Sequence, residues 1–160
     1  MLEENATFGI VYGECDESKF VVHELVSLPQ VFIVHKDHPL GKFEEIELNQ
    51  LKDCPLILPS IKSRPGAVLR NMFEEESIKP NIVFECERPL QIIEMICNNP
   101  NLVARILAND LLSVDFANIK PLKLKGKPFT LPICLIYKRS RQLNCLENLF
   151  KHTVLGCFSK

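Results

Sequence analysis

Short runs of β-branched and other apolar residues alternate with stretches of helical period along nearly the whole chain. That alternation constrains the fold more than any other feature. Phe8-Gly9-Ile10-Val11-Tyr12 is an apolar run closed by Gly13, as a buried strand would be. Phe20-Val21-Val22 and Val31-Phe32-Ile33-Val34 are two further runs, separated by Leu25-Val26 and Pro29. Pro55-Leu56-Ile57-Leu58-Pro59, Ile82-Val83-Phe84, Leu102–Leu107, Ile119–Leu124 and Leu131–Tyr137 supply the remaining strands. Between them, Glu47–Lys52 reads as a short helix. Pro65 opens a second, with Val68, Leu69, Met72 and Phe73 at helical spacing, because its missing N–H costs nothing in a first turn. Pro89–Asn98 is a third, apolar around most of its circumference through Ile92, Ile93, Met95 and Ile96, and a short helical piece lies near Asn109–Leu112. Leu143, Leu146, Leu149, Phe150 and Val154 share one face of a closing helix, with Gly156 as its expected stop. This order predicts an α/β fold with mainly parallel strand pairing.

The composition fits. The 160 residues are 46% hydrophobic and 24% charged, ordinary globular usage that excludes wholesale disorder. A chain of this length buries roughly 68–70% of its unfolded surface and needs no metal or disulfide staple. Nineteen Lys and Arg oppose twenty Asp and Glu, so the basic excess of a free-standing nucleic-acid binder is lacking. Seven cysteines (15, 54, 86, 97, 134, 145 and 157) never approach closer than eleven positions, so no CxxC or zinc-knuckle spacing exists. They read as reduced, buried thiols of a cytosolic protein. The acidic opening Met1-Leu2-Glu3-Glu4-Asn5 lacks the basic and apolar parts of a signal peptide, and the longest apolar stretch is far below the ~20 residues that cross a bilayer. A cytoplasmic protein without membrane association is expected.

Few residues carry recognisable chemistry. The six glycines allow neither GxGxxG nor GxxxxGK[ST], and no GxSxG elbow is present, so no cofactor is implied. His35 and His38 flank a turn at a spacing a metal could use, but no second ligand cluster lies near, and a surface turn explains them better. Glu74-Glu75-Glu76 reads as a solvated helix end. The informative segment is Ser60-Ile61-Lys62-Ser63-Arg64-Pro65, which joins a strand end to a helix start. In open α/β sheets ligands collect beyond the carboxyl ends of strands, and a helix N-terminus there favours an anion. Two hydroxyls, a lysine and an arginine add donors suited to a carboxylate or phosphate. A simple N-cap serine flanked by solvated bases stays open as the plainer reading.

The order of segments then resembles a known family. Leu25–Leu40, ending in the turn Asp37-His38-Pro39-Leu40, resembles the signature of the effector-binding domain of LysR-type transcriptional regulators. Ile46–Asp53 followed by Pro55–Leu58 is similar to that family's short helix and next strand. Phe73–Phe84, with Ile78-Lys79-Pro80, is similar to its helix end and following strand, and Pro121–Lys138 with Leu143 to its return strand and closing helix. The likeness runs from Phe8 to Val154. It departs where the family places a glycine-rich turn, for this chain has Asn98-Asn99-Pro100-Asn101 there. The family's opening strand–helix elements and its helix-turn-helix have no counterpart in the sequence.

The resemblance implies a periplasmic-binding-protein-like fold of two Rossmann-like lobes joined by crossing strands, with residues 1–35 and 132–160 in an incomplete lobe I and 36–131 in lobe II. It implies a small, anionic effector held between them and no enzymatic activity. DNA would be reached only through the absent helix-turn-helix, and self-association stays possible. Carried over by position, it nominates Tyr12 and Gly13 after the first strand, Ser60, Ile61, Ser63 and Arg64 after the second-lobe strand, and Glu87 and Pro89 at the next helix start. A solute-capture module, a remnant without ligand and a small cysteine-dependent hydrolase are the alternatives.

Overall fold

Proline, glycine and strand pairing set the element boundaries. The structure, a computed structural model, describes residues 6–13, 15–113, 117–126 and 129–158; the opening Met1–Asn5 lies outside them. Its elements are β1 (Phe8–Tyr12), β2 (Phe20–His35), β3 (Glu45–Ile46), β4 (Pro55–Leu58), α1 (Arg64–Glu75), β5 (Asn81–Glu85), α2 (Pro89–Asn98), β6 (Val103–Leu107), β7 (Ile119–Leu124), β8 (Thr130–Lys138) and α3 (Cys145–Phe158). Short 3-10 turns cover Pro39–Lys42, Leu48–Leu51 and Ala108–Ser113. The fold is mixed α/β and falls into two units, residues 29–130 and the remainder, with the chain passing between them at Leu28–Pro29 and Thr130–Leu131.

In the larger unit, β2 runs antiparallel to both β6 (Gln30↔Leu107 through Val34↔Val103) and β7 (Phe32↔Leu122). β4 lies between β6 and β5 and is parallel to both, while β3 is parallel to β7. The expectation of mainly parallel pairing is therefore corrected to a mixed sheet. Apolar runs mark strands but not their direction.

Side chains alternate between the two faces of this sheet, as the two-residue period of a strand requires. Phe32, Val34, Leu56, Leu58, Val103 and Leu122 pack with Leu69 and Phe73 of α1, and Phe129 stacks on Phe32 at 5.7 Å. Val31, Ile33, Ile57, Ala104 and Ile106 pack on the other face with Ile92, Ile93 and Ile96 of α2. Burial on both faces explains why these strands read as continuous apolar runs.

In the smaller unit β1 pairs antiparallel with β8, from Phe8↔Tyr137 to Tyr12↔Ile133, and β8 also borders β2. Phe8 meets Tyr137 edge-on and Phe150 of α3 at 5.1 Å, and the Thr7 hydroxyl donates to Glu147 of α3. Three local expectations change. The two runs of residues 20–34 are one strand that passes through Pro29. α3 continues through Gly156 to Phe158 and carries no buried residue, Leu146 being 76% exposed. Of the cysteines, Cys86 and Cys134 are buried, whereas Cys145 and Cys157 are exposed rather than buried as expected.

Candidate functional site

Because β4, β5 and β6 are parallel, their three carboxyl ends share one edge of the larger unit. The segment after β4 leads into α1, the segment after β5 into α2, and the segment after β6 into the turn Ala108–Ser113. Residues as distant in sequence as Ser60, Glu87 and Asp110 thus follow neighbouring strands.

The Ser60–Pro65 segment is tightly folded. Ser63 is the N-cap of α1, its Oγ accepting the Gly66 N–H at 3.3 Å while donating to the Ser60 carbonyl at 2.8 Å. Gly66 lets the helix meet this segment: a Cβ there would sit 2.0 Å from the Ser60 carbonyl oxygen and 2.7 Å from that of Pro59. Arg70, one turn further along α1, donates through Nη1 to Pro59 O (2.8 Å) and Gly66 O (3.0 Å), and through Nη2 to the Glu85 carboxylate. Glu85 Oε1 also accepts the Ile61 N–H at 3.4 Å. A register shift in β5 between Leu56 and Ile57 of its partner brings Glu85 opposite Leu58, whose side chain faces α1. The irregularity therefore turns the carboxylate to the face where Arg70 waits.

Of the nominated residues, Ser60, Ile61, Ser63, Arg64, Glu87 and Pro89 all lie on this edge; Ser63 is half-buried, while Ile61, Arg64 and Glu87 are exposed. Lys62 and Arg64 make no ion pair among the described residues, so their charges are available. Pro89 is the first residue of α2, which starts without a side-chain cap because Arg88 occupies the N-cap position. Its first turn keeps unpaired N–H groups, and with them a partial positive charge. Tyr12 and Gly13 belong to the smaller unit. Tyr12 is exposed at the end of β1, and Gly13 takes a positive φ of 82° while its N–H bonds Pro132 O at 2.7 Å.

One residue escaped the sequence reading. Arg105 sits in the middle of β6 and is 8% exposed, with Nε and Nη2 buried and without a hydrogen-bond partner. Burial lowers its pKa to about 10, partly opposed by the charges of Asp110 and Glu87, so it stays cationic at neutral pH. The available signal was a lone cation inside the run Val103-Ala104-Arg105-Ile106-Leu107.

Other chemistry on this edge is modest. Cys86 Sγ contacts Arg88 O at 3.9 Å and Gln91 Oε1 at 3.7 Å rather than an imidazole. His35 and His38 each accept a backbone N–H through Nδ1, from Asp37 and Leu40, and so build the turn they flank. Among the described residues no group of three or more His, Cys, Asp or Glu is disposed to hold a metal, and no helix is long and apolar enough to cross a membrane.

A family model described as the LysR substrate binding domain matches residues 1–155. The HTH-type transcriptional activator CmpR of Synechocystis sp. is 26% identical over 131 residues, 81% of this chain but 42% of CmpR, so the chain spans less than half of that relative. Among solved structures, the regulatory domain of Synechocystis PCC6803 CcmR in complex with 2-PG superposes with a TM-score of 0.83 at 17% identity, covering 98% of this chain and 75% of that one. The effector binding domain of QuiR in complex with shikimate gives a TM-score of 0.80 at 19% identity, covering 97% and 73%.

Proposed function

Because the chain belongs to the LysR substrate-binding-domain family, we propose that it is the effector-sensing module of a bacterial transcription regulator, and that its effector is a small anion bound at the carboxyl ends of β4, β5 and β6. The observation that carries this reading is the Ser60–Arg64 segment. It is braced by Arg70 and Glu85, opens into the N-terminus of α1 and leaves Lys62 and Arg64 unpaired beside it. The dipole at the start of α1, the Ser60 hydroxyl and the free cations favour a carboxylate or phosphate over a neutral solute, while the Ser63 hydroxyl is spent on the Ser60 carbonyl and shapes the segment. The CcmR and QuiR domains were solved with 2-PG and shikimate. Both are starting points for a ligand search here.

The resemblance extends the proposal to Glu87 and Pro89 on the same edge and to Tyr12 and Gly13 of the other unit. In a complete regulator, the effector would act by binding one conformation of the module better than another and so shifting the population that engages DNA.

Titration calorimetry against a panel of organic acids, phosphate esters and their neutral analogues tests the reading. We expect saturable binding of at least one acid, weakened by Ser60→Ala and by Arg64→Ala. Binding confined to neutral compounds would remove the anionic class. Silence across the panel would remove the sensing role.

A further inference from the structure

Resting on the effector-binding reading above, we propose that Arg105 is the residue that fixes the effector's anionic group, presenting the Nε/Nη2 edge of its guanidinium to a carboxylate or phosphate. Four observations lead there. The first is unused bonding capacity: Nε carries one N–H and Nη2 two, so three of the five guanidinium donors are buried without an acceptor. Native proteins seldom tolerate this, because an unpaired buried donor forfeits its hydration, and a charged one forfeits more.

The second is shape. Nε and Nη2 form the side-on fork of the guanidinium, whose parallel N–H pair matches the two oxygens of a carboxylate or phosphate. A carbonyl or hydroxyl would satisfy only one arm.

The third is position. Arg105 pairs with Phe32 across the β2–β6 ladder and lies two residues from Val103, and both neighbours belong to the α1-facing cluster. Its side chain therefore leaves the sheet on the face that carries α1. Along the strand it lies beside the β4 carboxyl end that leads into Ser60, because Ile57 pairs with Ala104. The helix N-terminus and the guanidinium are thus two sources of positive potential on one face of one edge.

The fourth is that the nearest acids do not quench it. Asp110 and Glu87 attract Arg105 electrostatically from beyond the strand ends. Neither forms an ion pair with it among the described residues, and Asp110 Oδ2 accepts the Leu107 N–H at 3.3 Å instead. A structural arginine would have closed on one of them. Because the fork is sealed from water, an anion must enter to engage it, and there its charge-assisted bonds would be stronger than at the surface.

The test compares the 160-residue chain with Arg105→Met and Arg105→Lys, using shikimate, its uncharged methyl ester and inorganic phosphate as probes against sodium chloride of equal ionic strength. Thermal unfolding is followed by circular dichroism and binding by calorimetry. We expect shikimate or phosphate, but not the ester or chloride, to raise the wild-type midpoint. Arg105→Met should weaken that binding by roughly ten- to a hundredfold while unfolding no earlier without ligand. Arg105→Lys should restore only part of it, since an ammonium lacks the fork. Should Arg105→Met fail to fold, Arg105→Lys carries the comparison alone.

Anion binding unaltered in the Arg105 variants but lost in Ser60→Ala would overturn this assignment and leave the effector site standing. A wild type indifferent to both anions overturns it as well; response to neutral ligands would then separate that failure from failure of the sensing role.

Discussion

Replacing Gly66 by alanine should destabilise the protein, against the usual trend for a helical glycine. In an unobstructed helix the change gains about 0.5–1 kcal/mol, because glycine gives up more backbone entropy on folding. At Gly66 the added carbon would lie 2.0 Å from the Ser60 carbonyl oxygen, 2.6 Å from its carbon and 2.7 Å from the Pro59 oxygen. All three are backbone atoms, which cannot step aside as a side-chain tip can. Helix and segment must separate by at least about 1 Å to reach even the shortest contact a real Cβ shows. The segment is pinned against such a shift: Ser60 O accepts from Ser63 N (2.9 Å) and Oγ (2.8 Å), and Pro59 O accepts from Arg70 (2.8 Å). Overpacking costs about 1–3 kcal/mol and each weakened bond about 0.5–1.5 kcal/mol, so a net loss of about 2–4 kcal/mol is expected. For a chain of this length that lowers the midpoint by roughly 5–10 °C. Gly156→Ala is the internal control, since nothing lies within 4 Å of a Cβ at that site in α3. It should gain up to about 1 kcal/mol. The chain has no tryptophan, so far-UV circular dichroism in urea and heat is the natural probe. Two glycine substitutions with the same sign, or a neutral Gly66→Ala, would refute the close approach.

Arg70→Met should cost about 1.5–3 kcal/mol by leaving the Pro59 and Gly66 carbonyls and Glu85 without their donor, with Arg70→Lys recovering only part; urea midpoints decide. His38 is held below its ordinary value of 6.5 chiefly by burial, opposed by a bond involving the Asn101 backbone, and its neutral Nδ1 accepts the Leu40 N–H. The unfolded chain therefore takes up the proton more readily, so stability is complete above about pH 6.5 and is lost as pH falls through that value toward the folded one. His38→Asn keeps a capping acceptor and should flatten the stability profile between about pH 7 and 5; parallel profiles would exonerate the histidine. β5 ends the strand order with Val83 51% and Phe84 50% exposed, so Val83→Lys should slow light-scattering growth in concentrated solution while changing stability by less than about 0.5 kcal/mol. Unchanged aggregation would show that this edge is not the contact.

How much of this was legible beforehand varies by kind of signal. Local chemistry translated directly: Pro65 lies in the first turn of α1, Ser63 caps it, and the Ser60 segment follows a strand bracketed by prolines. Pairing direction did not, because an apolar run carries no arrow. The antiparallel pairing of β2 with β6 and β7 depends on where the chain returns, not on what any run contains. Pro29 read as a break because proline interrupts a ladder, yet β2 continues through it at the point where the chain passes from one unit to the other. Gly156 read as a stop because glycine favours helix ends, but α3 runs two residues past it. The stripe Leu146, Leu149, Phe150 identified a helix correctly, though periodicity specifies which face is apolar and not whether anything covers it.

The site divides along the same line. Its segments announce themselves through turn and cap residues, each a signal confined to a few neighbouring positions. Its assembly depends on three strands being parallel and on one irregularity in β5, and neither leaves a mark in the residues concerned. Arg105 is the clearest instance. Within β6 it reads as a blemish in an apolar run, to be passed over when strands are sought. Only when parity assigns it to the α1 face, register sets it beside the strand leading to Ser60, and two of its nitrogens are found without acceptors does it acquire chemical meaning. A cation on a surface needs no explanation, whereas one inside a strand buried on both faces does.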